Sequence, residues 1–129
     1  MLFTYEHALA LVNETGKTFE IPRTSKHVAI LMSASRVEGV FLNRYATHAE
    51  ELAVAAYVAN NRRIKKPRIY VIRISKNTFS RPCKHCCNLL AKFPQIRVFY
   101  TDENANFVEE QNFNSFHISH RRKQCGYSR

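Results

Sequence analysis

An α/β domain, with helices covering the faces of a mixed sheet of about five strands, is the fold class this sequence predicts. Three observations carry it. Segments of strand and helix character alternate along the chain in the order helix, two strands, helix, strand, helix, two strands. At 129 residues the chain fits one domain, 1–129, able to bury a modest core without disulfide staples. Hydrophobic residues at 45% and charged residues at 23% are ordinary for a folded soluble protein, and no apolar run nears the ~20 residues of a membrane span.

Each element has a local reason. Over residues 2–14, Leu2, Phe3, Leu9, Leu11 and Val12 recur at mixed helical spacing, and Gly16 ends the stretch. After Pro22, the short apolar run 28–33 reads as a buried strand, residues 35–39 as a turn, and 39–43 as a second strand, together a hairpin. Thr47, His48 and Glu50 open a helix whose stripe is Leu52, Val54, Ala55, Tyr57 and Val58, ending at Asn60 and Asn61. Residues 62–68, Arg-Arg-Ile-Lys-Lys-Pro-Arg, read as a basic linker, and the β-rich run 69–74 as a strand. Pro82 suits a helix start, with Cys83, Cys86, Leu89, Leu90 and Phe93 following before Pro94 stops the helix. Residues 96–100 make a strand, 101–105 a turn and Phe107–Glu109 a return strand, an antiparallel hairpin. The polar, basic stretch 112–129 reads as a tail.

Charge and cysteine placement narrow the function. Twenty Lys and Arg against ten Asp and Glu give +10, an excess that favours polyanionic partners and says nothing of fold. Residues 1–7 lack the basic-then-apolar pattern of a secretory signal, so a soluble intracellular protein without a membrane partner is expected. Cys83, Cys86 and Cys87 crowd one short stretch, and Cys125 stands apart. Neighbouring cysteines close almost no loop, so this is a poor disulfide framework and reads first as metal binding.

His48-Ala-Glu50 and Pro82-Cys83-Lys-His-Cys86 each open a predicted helix that follows a strand. Catalytic zinc wants three N or S ligands and an open position for water. Cys83 and Cys86, at i and i+3, share one face of a helical turn, near an N-terminus that favours thiolates. His48 would close the triangle, and Glu50, two residues beyond, would be the nearby carboxylate that moves protons. Each half alone has a plainer reading. Thr47 to Glu50 fits a capping box, and a lone C-x-x-C serves as a redox pair or half of a structural zinc site. The two halves together match the H-x-E…P-C-x-x-C deaminase signature.

On those motifs the chain resembles the cytidine-deaminase-like superfamily, and its element order does so over nearly all of residues 1–110. The resemblance implies a three-layer α/β/α fold and one catalytic Zn2+ held by His48, Cys83 and Cys86. Glu50 would be the acid and base that lets ammonia leave cytosine. It implies that Asn43 contacts the sugar and that the Ala49 amide holds the base carbonyl. Asn43 also fits a plain strand-end residue. Cys87 points about 100° away from Cys86 on a helix and reads as a small buried hydrophobe, while His85 is expected at the surface or the cleft. His117, His120 and Cys125 are spaced too loosely for a familiar second zinc site.

The substrate is less legible. A histidine at position 48 is similar to deoxycytidylate, tRNA adenosine and polynucleotide cytosine deaminases, whereas the closing hairpin is similar to bacterial toxin deaminases and plant organelle RNA-editing domains. Single-stranded nucleic acid is favoured by the net charge, by the basic runs 62–68 and 121–123, and by Tyr45, Phe79 and Tyr100 as stacking candidates. Such aromatics are more often plain core. A free cytosine nucleotide is the rival, its phosphate gripped by Arg44 and Arg81. A zinc-stabilised binding module without turnover is the reading from another class, and Glu50 argues against it.

Overall fold

The computed structural model describes residues 3–19, 26–34, 36–44 and 46–111. The tail 112–129, Tyr45 and the group His117, His120 and Cys125 lie outside the described residues. The described elements are α1 (Tyr5–Thr15), β1 (His27–Ser33), β2 (Arg36–Leu42), α2 (Ala49–Asn60), β3 (Pro67–Arg73), α3 (Lys84–Ala91), β4 (Arg97–Thr101) and β5 (Phe107–Glu109). They form a mixed five-stranded sheet in the order β2-β1-β3-β4-β5, with β3 and β4 parallel and the other neighbours antiparallel. The expected α/β/α class and the closing antiparallel hairpin are both present.

The layering follows from the two-residue period of a strand. Val28, Ile30 and Met32 of β1 join Ala8 and Val12 of α1, together with Tyr70 and Ile72 of β3. The alternate residues Ala29 and Leu31 join Ala53, Val54 and Tyr57 of α2, Leu90 of α3, and Ile69, Val71 and Val98 of the central strands. α1 therefore covers one face, and α2 and α3 the other. β1 is buried along its whole length, which is why its sequence reads as a continuous apolar run rather than an alternating one.

Local chemistry sets the ends. Thr4 caps α1 in a reciprocal box with His7, and Gly16, at φ +68°, closes it in the left-handed region. The β1–β2 hairpin is tighter than the sequence suggests. The strand starts at Arg36 rather than Gly39, and the turn is made through Ala34 at φ +52°. A bulge between Leu31 and Met32 absorbs the extra residue, because Leu31 pairs with Gly39 and Met32 with Val37. A side-chain carbon at Gly39 would meet the Phe41 ring at 2.6 Å, so any larger residue there would have to displace that ring.

The basic linker is shorter than expected. Ile64 is buried, the Lys65 amide donates to Ser33 Oγ, the Ala34 amide donates to the Lys65 carbonyl, and β3 already begins at Pro67. No helix of the described residues is long and apolar enough to cross a membrane.

Register fixes where the functional segments lie. Leu42, at the end of β2, pairs with Val28, which pairs with Ile72 near the end of β3. The segments leading into α2 and α3 thus leave the sheet at the same end. Residues 62–68 lie at the other end, where Ser33 pairs with both Arg36 and Pro67.

Candidate metal centre

Two helix beginnings meet at this end of the sheet. His48 is the N-cap of α2, in extended backbone, and its amide donates to Glu51 Oε1 at 2.7 Å. The capping box therefore closes on Glu51, and the reading that placed Glu50 in that bond is corrected. Glu50 is left to point inward. Cys83 is the N-cap of α3, which starts at Lys84, two residues later than the start expected at Pro82. Its carbonyl accepts the first helical bond from the Cys87 amide, and Cys86 sits in the first turn.

The loop leading to Cys83 is pinned from below. Ser80 Oγ donates to the Val71 carbonyl, and the Ser80 amide donates to the Thr101 carbonyl. The Thr101 amide donates back to Ser80 Oγ, and the Thr78 hydroxyl donates to the Asp102 carbonyl. With these groups buried and mutually satisfied, the segment before Pro82 is stitched to the ends of β3 and β4.

The pinned cysteines face the imidazole. His48 Nδ1 lies 3.1 Å from Cys86 Sγ and 3.6 Å from Cys83 Sγ. The three ligand atoms all fall within 4.8 Å of one another, a group that could hold a metal ion. Both cysteines are buried and His48 is half-buried. The group titrates as a unit. Cys83 is held far below the ordinary thiol range, at about 4, first by the hydrogen bond from Cys86 and then by that from His48, against its burial. Cys86, whose proton that bond engages, is pushed up, and His48 is raised by its bond to Cys83. A cation among them would take the place of protons, so uptake would be coupled to proton release.

Glu50 is the anomaly. It is fully buried, and among the described residues neither carboxylate oxygen has a hydrogen-bond partner. Burial, reinforced by the charge of Cys83, pushes its carboxyl up to about 7 despite a bond at its own amide. An unsatisfied buried polar group costs about 1–3 kcal/mol, so a carboxylate left this way needs a reason.

Glu51 was not singled out from the sequence. Besides capping α2, its second oxygen lies 2.7 Å from His85 Nε2, tying the first turn of α3 to the first turn of α2. Burial raises its carboxyl, but the bonds to His85 and to the His48 amide outweigh that and hold it below the ordinary range. The available signal was the three-residue step from His48, the spacing of a capping box whose cap is a histidine. His85 is at the surface, and Cys87 is buried with its thiol donating to the Pro82 carbonyl, as their positions suggested.

Asn43 and Ala49 lie nearby. Asn43 Oδ1 accepts from the His27 amide at 3.1 Å, clasping the ends of β1 and β2, so its strand-end role is real. The same residue borders a cavity of about 540 Å3 together with Lys17, Thr18 and Arg44. Ala49 opens α2 and is fully buried. Arg81 pairs with Glu110 through both nitrogen positions, at 2.6 and 3.2 Å, which commits the fork that a phosphate would need. Phe79 and Tyr100 pack edge to face, their centroids 5.9 Å apart, and are half-buried. Compared with protein-family models and with curated proteins, the chain finds no match.

Proposed function

We propose that this chain is a zinc-dependent hydrolytic deaminase that converts cytosine to uracil. The observation that carries the reading is Glu50: a buried, unpartnered carboxylate two residues from the histidine of a His-Cys-Cys group. A metal site that serves only to hold the fold has no use for such a group, and burying it is unfavourable. Two sulfurs and one imidazole nitrogen suit zinc, and three protein ligands leave one position for solvent, the arrangement of catalytic sites.

Zinc held by His48, Cys83 and Cys86 would supply Lewis-acid activation of a water molecule. Glu50 does the proton work. In the metal-free protein burial raises its carboxyl to about 7, and a carboxyl held beside the reacting water can accept a proton and then give it up. It takes a proton from the attacking water and gives it to the ring nitrogen. It then passes a proton to the departing amine, so that cytosine and water leave as uracil and ammonia. The Glu51 bonds to the His48 amide and to His85 keep the two helix beginnings in register while this happens. Asn43, just past the end of β2, and the Ala49 amide in the first turn of α2 are the groups that would meet the sugar and base.

Single-stranded nucleic acid is the favoured carrier of the base, on the net charge of +10. A free cytosine nucleotide is the second reading, favoured by the cavity that Asn43 shares with Arg44 and Lys17. Ammonia release from cytidine, deoxycytidylate, single-stranded DNA and single-stranded RNA separates these. Release from at least one, abolished by Glu50→Gln with zinc content unchanged, is the expected result. No release from any of them by the zinc-loaded protein overturns the proposal.

A further inference from the structure

We propose that the end of the sheet remote from His48 and Cys83 is a second binding surface, built for the phosphodiester backbone of a nucleic acid strand. It is separate from the cleft at the metal centre. β3 alone spans residues 67–73, roughly 20 Å at the rise of a strand, and the two surfaces lie beyond its opposite ends. The inference does not rest on the deaminase reading, because the surface would bind whether or not the other end reacts.

Three features converge there. Arg68 and Arg97 are register partners on adjacent strands, so two guanidinium groups stand side by side. Like charges placed opposite one another in a sheet destabilise it. Arg97 is answered by Glu109 at 2.8 Å, whereas among the described residues Arg68 donates to the Tyr70 hydroxyl and meets no carboxylate. Next, Lys66 has φ +49°, a left-handed backbone that a non-glycine residue adopts at a cost of about 1 kcal/mol and that gathers at ligand clamps. Finally, Arg62, Lys65 and Lys66 are exposed cations with no carboxylate partner among the described residues.

The surface is also preorganised. The backbone bonds of Lys65 to Ser33 and Ala34, and the buried Ile64, hold the turn rigidly against β1. Arg68 and Arg97 lie over the Tyr70 and Phe99 rings, which are themselves stacked 4.7 Å apart. Lys66, Arg68 and Arg97 line a cavity of about 620 Å3 with Gln95 at its rim. Its polar groups are the cations of Lys66, Arg68 and Arg97 and the Gln95 amide, set beside the small apolar surfaces of Ala34 and Pro67. Arginine forks and amides are the groups that hold phosphate and sugar. Lys65 and Arg62 add exposed cations in the adjoining turn, where Arg63 is paired with Glu38 at 2.6 Å, so several charges are offered rather than a site for one phosphate.

The test uses the full chain and a labelled single-stranded 20-nucleotide DNA. In a Lys65→Gln, Lys66→Asn, Arg68→Gln variant, asparagine keeps the left-handed backbone tolerable at position 66. Affinity should fall at least ~10-fold, and the slope of log K against log salt should fall by about 2, at ~0.7 per cation lost. Zinc content, melting temperature and any turnover of free cytidine should stay as in the wild type, which separates this surface from the metal centre. Unchanged affinity and slope would overturn the proposal. So would a polyglutamate of equal charge that competes as well as the DNA. A Lys65→Gln, Lys66→Asn double variant, which touches neither ring contact, repeats the reading if the triple variant fails to fold.

Discussion

The two ends of the sheet solve opposite electrostatic problems. At the metal end the two cysteines and Glu50 are buried, and among the described residues the Glu50 carboxylate has no hydrogen-bond partner. At the far end the charges are many and exposed, and water screens them. Low dielectric makes each group at the first end expensive and strongly coupled to its neighbours; high dielectric makes each at the second end cheap and nearly independent. The comparison teaches that net charge and chemistry sit in different places, so the basic composition is no guide to where reaction would occur.

The sharpest break of that comparison is at the ligands. Cys83→Ala or Cys86→Ala should abolish zinc binding at micromolar metal. The melting temperature of the zinc-loaded protein should fall by roughly 15 °C, given ~4 kcal/mol of linkage from a metal at 1,000 times its Kd. Calorimetry with and without zinc checks it.

Glu50→Gln comes next, with a loss of at least ~100-fold in deamination and no loss of metal. Its effect on the metal-free protein is of the other sign. The folded carboxyl is raised from 4.5 to about 7 by burial, so its favourable contribution is complete below pH 4.5 and is lost as pH rises through 7. The glutamine variant should therefore be more stable than wild type at pH 8, by about 2–3 kcal/mol, and no more stable at pH 4.5. Urea midpoints at the two pH values would show it.

The fold was legible because each core strand is apolar in a way its burial explains. Residues 28–33 and 69–72 are buried on both sides and read as continuous runs. Boundaries were less so where tertiary contacts decide them. β2 extends back to Arg36 because β1 pairs with it, although Arg36, Val37 and Glu38 alone resemble a turn. His48, Cys83 and Cys86 were legible from spacing, and the structure brings their ligand atoms together. Glu51 was hidden by Glu50, since both stand near a capping position and only the helix start at Ala49 decides which one closes the box. The placement of residues 62–68 away from the cleft depends on strand register, which composition does not carry.

Smaller effects sharpen the contrast. Glu51→Ala should weaken zinc binding about 10-fold, as the loss of an outer-shell partner does, and Glu51→Gln should recover part of it. At the far end, Glu109→Gln removes a solvent-screened pair with Arg97 and should lower stability only slightly. The Glu109 carboxyl is lowered by Arg97, so that contribution is present above pH 4.5 and disappears as pH falls through the folded value. Denaturant titrations at pH 7 and pH 3 check the sign.

X-ray absorption at the zinc edge of the metal-loaded chain tests the central claim most directly. The expected spectrum shows one zinc per chain with two sulfurs at about 2.3 Å, one imidazole nitrogen at about 2.0 Å and one light atom from solvent, unchanged in Glu50→Gln. A third sulfur or a second imidazole in the first shell would close the open position and contradict it.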